Sequence, residues 1–162
     1  MNIKKLELHH WEAVKHIYEA GIQTGNATLE TSAPSWDTWN KNHLEHSRLI
    51  CELDNRVAGW CALTSVSDRC VYEGVAEVSI YIHPACKGLG IGYVLLERLI
   101  AESETNGIWT LHAAILEENK GSIRLHEKSG FRKIGVREKI GQLNGVWRNI
   151  VLFEKRSKVV GV

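Results

Sequence analysis

A strand, a glycine-rich turn and a helix follow one another directly between residues 78 and 93. Apolar and polar side chains alternate as far as Pro84, as in a strand with one buried face. Glycines then recur at Gly88, Gly90 and Gly92, and an amphipathic helix follows them. Glycine lets the backbone approach a ligand closely, and the free N–H groups at a helix start point toward a bound anion. This segment therefore predicts a cradle for a pyrophosphate.

The glycine spacing distinguishes between classes of pyrophosphate site. A dinucleotide-binding fold needs Gly-x-Gly-x-x-Gly and, about twenty positions later, an acidic residue at the end of a second strand. No strand of this sequence ends in that way. The phosphate loop of nucleotide hydrolases ends in Gly-Lys-Ser or Gly-Lys-Thr, whereas Lys87 precedes the glycines here. A flexible turn that enters a surface helix is the alternative without a ligand.

The composition fits one domain with a hydrophobic core. We assign this domain to residues 1–155 and treat 156–162 as a C-terminal tail. The formal net charge of +1 gives no general reason to expect nucleic acid or an anionic membrane as a partner. No segment is long and apolar enough to cross a bilayer, so we expect a cytoplasmic protein. The 4 cysteines lack paired metal-ligand spacing, so we expect free thiols and no bound metal.

Hydrophobic periodicity and turn signals predict eleven elements in the order β-α-α-β-β-β-α-β-α-β-β. The segment 24–34 is polar and irregular between the first two helices, and Asn106-Gly107 is a helix stop signal. We expect helices over about 10–20, 36–46, 92–105 and 120–129. We expect strands over 3–6, 49–53, 57–64, 75–82, 109–116, 131–136 and 146–153.

A second motif begins one strand after the glycines. It consists of Asn119, Ser122 and His126, followed by Gly130-Phe131. A helix that Asn119 caps and a glycine ends would explain these residues. It would not explain why the motif follows the glycine loop at this position. The two motifs in this order resemble the signature of the GNAT acetyltransferases, in which Tyr often stands where His126 stands here.

The resemblance to GNAT proteins covers nearly the whole chain. Lys87, Gly90 and Gly92 match the family's acetyl-CoA loop, a basic or amide residue followed by x-x-Gly-x-Gly/Ala. The element order is similar to the GNAT fold, an α/β (α+β) fold. Its mixed, mostly antiparallel sheet is flanked by helices and splayed at the cofactor-binding strand. Three parts of the sequence resemble the phosphinothricin and methionine sulfoximine acetyltransferases in particular: residues 24–30, Tyr72 with residues 77–84, and Leu125-His126.

This resemblance implies an enzyme that transfers acetyl directly from acetyl-CoA to a primary amine. The implied acceptor is a small amino-acid-like molecule such as phosphinothricin or methionine sulfoximine, and the implied assembly is a homodimer. Two alternatives stay open. One is a GNAT enzyme for another amine, such as a polyamine, an aminoglycoside or a protein N-terminus. The other is a non-catalytic acyl-CoA sensor.

Glu77 and His126 are the catalytic candidates that the resemblance implies. An α-amine is mostly protonated at neutral pH, so a base must remove a proton before the amine attacks the thioester. Glu77, on the predicted central strand, is the candidate base through one water, or else an exposed strand residue or an ion-pair partner. His126 is either a proton donor to the departing thiolate or a helix residue bonded to a carbonyl.

The resemblance also assigns binding residues. The N–H of Ile82 would polarise the thioester carbonyl, and the amide of Asn119 would bind the pantetheine or a phosphate. Related enzymes often carry Asp shortly after the last-strand Trp, where this chain has Arg148-Asn149, so the acceptor's identity stays open. Arg69 or Arg148 would bind an acceptor carboxylate. The acceptor contacts are Asn26, Thr28, Glu30 and Tyr72. The acetyl-CoA contacts are Ile80, Tyr81, Ile82, Lys87, Gly88, Leu89, Gly90, Ile91, Gly92, Tyr93 and Asn119.

Overall fold

The computed structural model describes residues 1–162 as one sheet of 7 strands with helices on both faces. None of the helices has the length and hydropathy needed to cross a membrane. The helices are α1 (Trp11–Gln23), α2 (Trp36–Asn42), α3 (Ile91–Thr105) and α4 (Lys120–Lys128). The strands are β1 (Asn2–Lys5), β2 (Leu49–Leu53), β3 (Arg56–Ser65), β4 (Val75–Ile82), β5 (Thr110–Leu116), β6 (Arg132–Leu143) and β7 (Val146–Arg156).

The sheet is mixed and mostly antiparallel, with the strand order β1-β2-β3-β4-β5-β7-β6. Only β4 and β5 are parallel, because the chain crosses from one to the other through α3. Their pairing covers Val75 to Glu77 of β4 and Thr110 to His112 of β5, after which the two strands separate. The predicted fold class is confirmed, including the splay at the central strand.

The side-chain alternation along the strands divides the core between the two faces of the sheet. On one face, Ala76 and Val78 of β4 pack with Leu95 and Leu99 of α3. On the other face, Trp60 of β3 lies in a second apolar cluster with residues of α1 and α2. Complete burial of a leucine contributes about 1.5–3 kcal/mol. These contacts pack α3, the helix that follows the glycine loop, against β4.

Helix α2 ends about one turn earlier than predicted. His43 adopts an extended conformation, with φ −107° and ψ 150°, and so leaves the helix. The guanidinium group of Arg48 hydrogen-bonds the carbonyl oxygens of Asn40, His43 and Leu44. Arg48 therefore satisfies carbonyls at the helix end that would otherwise lack partners.

The hairpin β6–β7 is longer than the predicted strands over 131–136 and 146–153. Asn144 and Gly145 form its turn with φ values of 50° and 79°, the left-handed pair that a tight hairpin requires. The alternation of apolar residues stops at Val136, whereas β6 continues for a further seven residues with mainly polar side chains. The register of β6 against β7 shifts twice, between Lys133 and Gly135 and between Arg137 and Gly141.

Candidate active site

A cavity of about 1890 Å³ opens where β4 and β5 separate. It extends from the irregular segment after α1, past the exposed side of β4, to the glycine loop at the start of α3. α4 and the first half of the β6–β7 hairpin complete its walls. The parting of β4 and β5 therefore determines where this cavity lies.

The backbone of β4 presents an unpaired edge to the cavity. Residues 78–82 pair with β3 on one side, and no strand pairs with them on the β5 side. The N–H of His83 donates to the carbonyl of Ala58 in β3 at 2.8 Å. Successive N–H groups of an extended strand point to opposite sides, so those of Ile82 and Ile80 point away from β3 and into the gap. A ligand with amide groups can pair with this edge as an added strand would.

The glycine loop carries a run of unpaired amides. No N–H group of residues 88–93 donates to an acceptor within the chain, and the first helical bond of α3 is from Val94 to Gly90 at 3.2 Å. Gly88 and Gly90 both have φ +80°, a conformation that favours glycine. No atom lies within 4 Å of where a side chain at either position would begin, so space above the loop is open. Unpaired amides at the N-terminus of a helix form an anion site.

Glu77 is the last β4 residue that pairs with β5, and its side chain lines the cavity. Although the carboxylate is exposed to the cavity, the surrounding walls take water from it, and this desolvation raises its pKa. His112 and Arg137 act against this desolvation and lower the pKa of Glu77, but the desolvation is the larger effect and the pKa is raised overall. A carboxylate with a raised pKa is a stronger proton acceptor than an ordinary glutamate.

His126 and Asn119 both make local contacts within α4. The side chain of Asn119 caps the helix, with its Oδ1 accepting the N–H of Ser122 at 3.1 Å. His126 is 2% exposed, and its Nδ1 lies 2.8 Å from the carbonyl oxygen of Ser122. Burial lowers the pKa of His126, so its ring is neutral and Nδ1 carries the proton that this bond needs. Its Nε2 has no partner and no access to solvent, so the geometry favours the carbonyl-bonded alternative.

The irregular segment after α1 is fixed to the β6–β7 hairpin through Arg148. The guanidinium group donates to the carbonyl of Gly25 at 2.8 Å, to Oδ1 of Asn26 at 3.0 Å and to the carboxylate of Glu118 at 2.9 Å. The hydrogen bond from Arg148 to the carboxylate of Glu118 lowers the pKa of Glu118. The side chain of Leu29 packs against the bare backbone of Gly141. A side chain at position 141 would collide with it, since its Cβ would lie 2.6 Å from Cδ1 of Leu29. Both contacts hold the segment 25–30 over the cavity.

A comparison of the sequence with models of known protein families agrees with the sheet topology, the unpaired β4 edge and the free amides of the glycine loop. The model for the acetyltransferase (GNAT) family matches residues 9–131. The chain belongs to the GNAT acetyltransferase family. Enzymes of this family are acetyl-CoA-dependent N-acetyltransferases, and this protein is one of them.

Other GNAT proteins are similar to this one over most of their length. YwnH of Bacillus subtilis (strain 168), provisionally named a phosphinothricin acetyltransferase, is 34% identical over 90% of this chain and 92% of its own. The phosphinothricin N-acetyltransferase of Alcaligenes faecalis is 31% identical over 88% of this chain and 76% of its own. Among solved structures, yncA from Salmonella typhimurium with its cofactor acetyl-CoA has a TM-score of 0.90 and 25% identity. That match covers 99% of this chain and 96% of yncA.

The GNAT cavity brings together most of the residues that the sequence pointed to, but it leaves Tyr72 outside. The Tyr72 ring is 46% exposed beyond the cavity, and the guanidinium of Arg69 lies 5.4 Å from its centre. The side chain of Leu89 also lies outside. The residues that line the cavity are Asn26, Thr28, Glu30, Glu77, Ile80, Tyr81, Ile82, Lys87, Gly88, Gly90, Ile91, Gly92, Tyr93, Asn119 and His126.

Three cavity residues of this GNAT protein were missed in the sequence. Tyr18 lies on the apolar face of α1, so it was indistinguishable from a packing residue, and His112 alternates with core residues of β5. Arg137 lies one residue beyond the predicted end of its strand. The alternation in β5 could have identified His112, since it places this side chain on the polar face.

Proposed function

We propose that this protein acetylates the α-amine of a small amino-acid-like acceptor such as phosphinothricin or methionine sulfoximine. The observation that carries the proposal is the junction of three features in one cavity: an unpaired strand edge, a run of free amides, and a carboxylate with a raised pKa. The two phosphinothricin acetyltransferase relatives support the choice of acceptor class.

Acetyl-CoA supplies the activated acyl group, and the geometry fits its two halves. The N–H groups of Ile80 and Ile82, with Tyr81 between them, are placed to pair with the amides of the pantetheine arm. The N–H groups of Gly88, Leu89, Gly90, Ile91, Gly92 and Tyr93 are placed to bind the pyrophosphate. Lys87 adds a positive charge, and the Nδ2 group of Asn119 is free to donate because only its Oδ1 caps α4.

Glu77 acts as the base in this proposal. It accepts the proton of the acceptor amine through a water molecule, and the lone pair of the amine then attacks the thioester carbon. The N–H of Ile82 donates to the carbonyl oxygen as negative charge develops there. The C–S bond then breaks and the thiolate leaves. Because a thiolate is a tolerable leaving group and Nε2 of His126 is inaccessible, we propose that water protonates the thiolate.

The acceptor binds in this proposal against Asn26, Thr28 and Glu30, which line the cavity. Arg148 holds this wall in place and has no free donor pair to offer the acceptor. The acceptor side of the cavity is therefore a rigid wall built from the segment 25–30.

We also propose that the protein is a cytoplasmic homodimer. Outside the cavity, the β6–β7 hairpin exposes two large apolar side chains that a second copy would cover, Val146 and Trp147. The cysteine thiols are unpaired, as is usual in a reducing compartment.

A thiol-release assay tests the proposed reaction. The purified protein is given acetyl-CoA with phosphinothricin, methionine sulfoximine, standard amino acids or polyamines, and the product is identified by mass spectrometry. We expect turnover of at least one amino-acid-like acceptor and loss of turnover in Glu77→Gln. Turnover of polyamines alone would show that the acceptors are polyamines and not amino-acid-like molecules. Acetyl-CoA binding without any turnover would indicate a sensor.

A further inference from the structure

We propose that Arg137 binds the carboxylate of the acceptor and so selects α-amino acids over simple amines. This inference rests on the proposed function, because it concerns the acceptor of the same reaction. It corrects the expectation from the sequence that Arg69 or Arg148 would fill this role.

Arg137 and Glu77 lie on the same face of the sheet. Residues that pair across neighbouring strands point to the same face, and so do residues two apart within a strand. Glu77 pairs with His112 of β5, and Leu116, four residues further, pairs with Ile150 of β7. Ile150 in turn pairs with Arg137 of β6. The register is unbroken along β5 and β7 between these pairs, so all of these side chains share the face that lines the cavity.

The guanidinium group of Arg137 is free to bind a ligand. It makes no ion pair and no hydrogen bond within the chain, and its side chain is exposed at the cavity wall. Arg148, which is nearest to the acceptor segment, is instead committed to Gly25, Asn26 and Glu118. Arg69 lies outside the cavity.

Besides Arg124 and Lys128, two other lysines line the cavity: Lys87 precedes the glycine loop, and Lys120 begins α4 beside Glu118. Arg124 and Lys128 belong to α4, which packs against the start of α3. The Nζ atom of Lys128 is 4.4 Å from the centre of the Tyr93 ring, and Leu125 contacts the backbone of Gly92. Lys87 and Lys128 therefore lie near the glycine loop, where the proposed pyrophosphate binds. Among the arginines that line the cavity, Arg137 is the one that lies on the sheet face of Glu77.

An α-amino acid offers the groups that this pair of side chains would bind. Its amine and its carboxylate are attached to one carbon, so a site that receives the amine near Glu77 must also receive the carboxylate nearby. A carboxylate in a cavity needs a cationic partner, and the planar guanidinium group binds it through two parallel hydrogen bonds. Arg137 supplies positive charge close enough to oppose the rise in the pKa of Glu77.

Two acceptors that differ only in the carboxylate test this inference. L-methionine sulfone carries it, and 3-(methylsulfonyl)propylamine is the same molecule without it. For Arg137→Gln we expect kcat/KM for L-methionine sulfone to fall by about 10- to 100-fold, as for loss of a charge-assisted hydrogen-bonded pair. At a pH well above the acid limb of Glu77, where the loss of this cation does not change the ionised fraction, we expect kcat/KM for the amine to change by less than about threefold. In Arg137→Lys, kcat/KM for L-methionine sulfone should lie between the values of the unmodified protein and Arg137→Gln. Lysine keeps the positive charge but cannot form two parallel hydrogen bonds with a carboxylate.

Arg132→Gln is the matched control, because Arg132 lies on the same strand, pairs with Glu154 and does not line the cavity. It should leave the preference between the two acceptors unchanged. An equal loss for both acceptors in Arg137→Gln, or no loss, would overturn the inference while turnover of the amine leaves the proposed function intact. If the unmodified protein turns over neither acceptor, calorimetry with L-methionine sulfone and bound CoA decides. Weaker binding in Arg137→Gln supports the inference, and equal or absent binding in both proteins overturns it.

Discussion

At Glu77, burial and two neighbouring side chains act on the pKa of one carboxyl group in opposite directions. Desolvation raises its pKa, whereas His112 from β5 and Arg137 from β6 lower it. The net rise keeps a fraction of the carboxyl groups protonated at pH values where an exposed glutamate is fully ionised. A base in this condition takes a proton readily and returns it to solvent between turnovers.

The first prediction concerns the pH dependence of the reaction. Only the ionised carboxylate accepts a proton, so kcat/KM should fall as the pH decreases through the raised pKa of Glu77. We expect the midpoint of this fall at a pH above the ordinary pKa of a glutamate. In Arg137→Gln the midpoint should lie at a still higher pH, because that variant removes a cation that favours ionisation of Glu77. Glu77→Gln should lower kcat by about 100-fold or more while acetyl-CoA affinity stays the same. A profile that keeps its acid limb in Glu77→Gln would contradict this assignment.

The second prediction separates the two roles of His126. Because its Nδ1 is bonded to Ser122 and its Nε2 is buried, we expect His126→Gln to lower the free energy of unfolding by about 1–3 kcal/mol. We expect kcat to stay within about tenfold, below the usual range for a lost general acid. Urea unfolding and steady-state kinetics measure the two quantities. A large loss of kcat with unchanged stability would restore the role of a proton donor.

At the scale of single elements, the glycine loop and the β6–β7 hairpin have separate tasks. The loop leaves its amides unpaired because Gly88 and Gly90 turn the chain with positive φ before α3 begins. The hairpin fixes the acceptor segment through Arg148 and Gly141, which face each other in the β6–β7 register. One element thus prepares the cosubstrate end of the cavity, and the other prepares the acceptor end.

The third prediction compares two glycines of the same conformation. Gly90 at the start of α3 has φ +80°, and Gly107 after the end of α3 has φ +81°. At both positions no other atom lies within 4 Å of the place that a Cβ would occupy. Alanine at either position should cost about 1–2 kcal/mol of stability through backbone strain. Only Gly90→Ala should also weaken CoA binding, by about tenfold or more, because it moves the amides that bind the pyrophosphate. Calorimetry with CoA tests this, and equal affinities in the two variants would count against the cradle.

The fourth prediction concerns the anchor of the acceptor segment. Arg148 is 12% exposed and bonds Gly25 and Asn26 across the fold. Arg148→Gln should release the segment 25–30 and raise the KM for the acceptor by about tenfold, as for one or two lost charge-assisted hydrogen bonds. The affinity for acetyl-CoA should stay the same. Arg156→Gln is the matched control, because Arg156 anchors the C-terminal segment through Val160 and Gly161, far along the same strand. A similar rise in KM for both variants would refute a specific anchor.

At the scale of the whole molecule, one topological feature produces the site. The single parallel pair, β4 with β5, begins in register and then separates, because β5 continues toward β7 while β4 stays with β3. The backbone groups that lose their partner in this way become available to a ligand. α1 and α3 then cover β3 and β4 on opposite faces and leave the gap open.

The fifth prediction concerns the proposed homodimer. Trp147 on the β6–β7 hairpin is 56% exposed, and Leu8 before α1 is 61% exposed. We expect sedimentation equilibrium to show a dimer, and we expect Trp147→Glu to weaken it by about tenfold or more, because a charge would enter an apolar interface. Leu8→Glu should leave it unchanged. A monomer at micromolar concentration would refute the proposal, and disruption by Leu8→Glu would move the interface elsewhere.

Most of the element order followed from local patterns. The strand over 75–82, the glycine loop and the helix that follows it depend on alternation, glycine conformation and helix periodicity, which act over a few residues. The end of α2 and the length of β6 were wrong, because contacts from Arg48 and the pairing with β7 override local preference there. The Asn144-Gly145 pair was a hairpin signal that could have extended β6.

The sequence by itself determined the order of the elements and the position of the glycine loop, because turns, caps and periodicity are encoded by neighbouring residues. The sheet type followed from the resemblance to GNAT proteins. Only the tertiary structure decided which arginine is bonded to the segment 25–30 and which is left unpaired at the cavity wall. Arg148 bonds Gly25 and Asn26, which are far away in the chain, and the register shifts in β6 set the face on which Arg137 lies. A shift of one residue reverses that face, and no local pattern reports it.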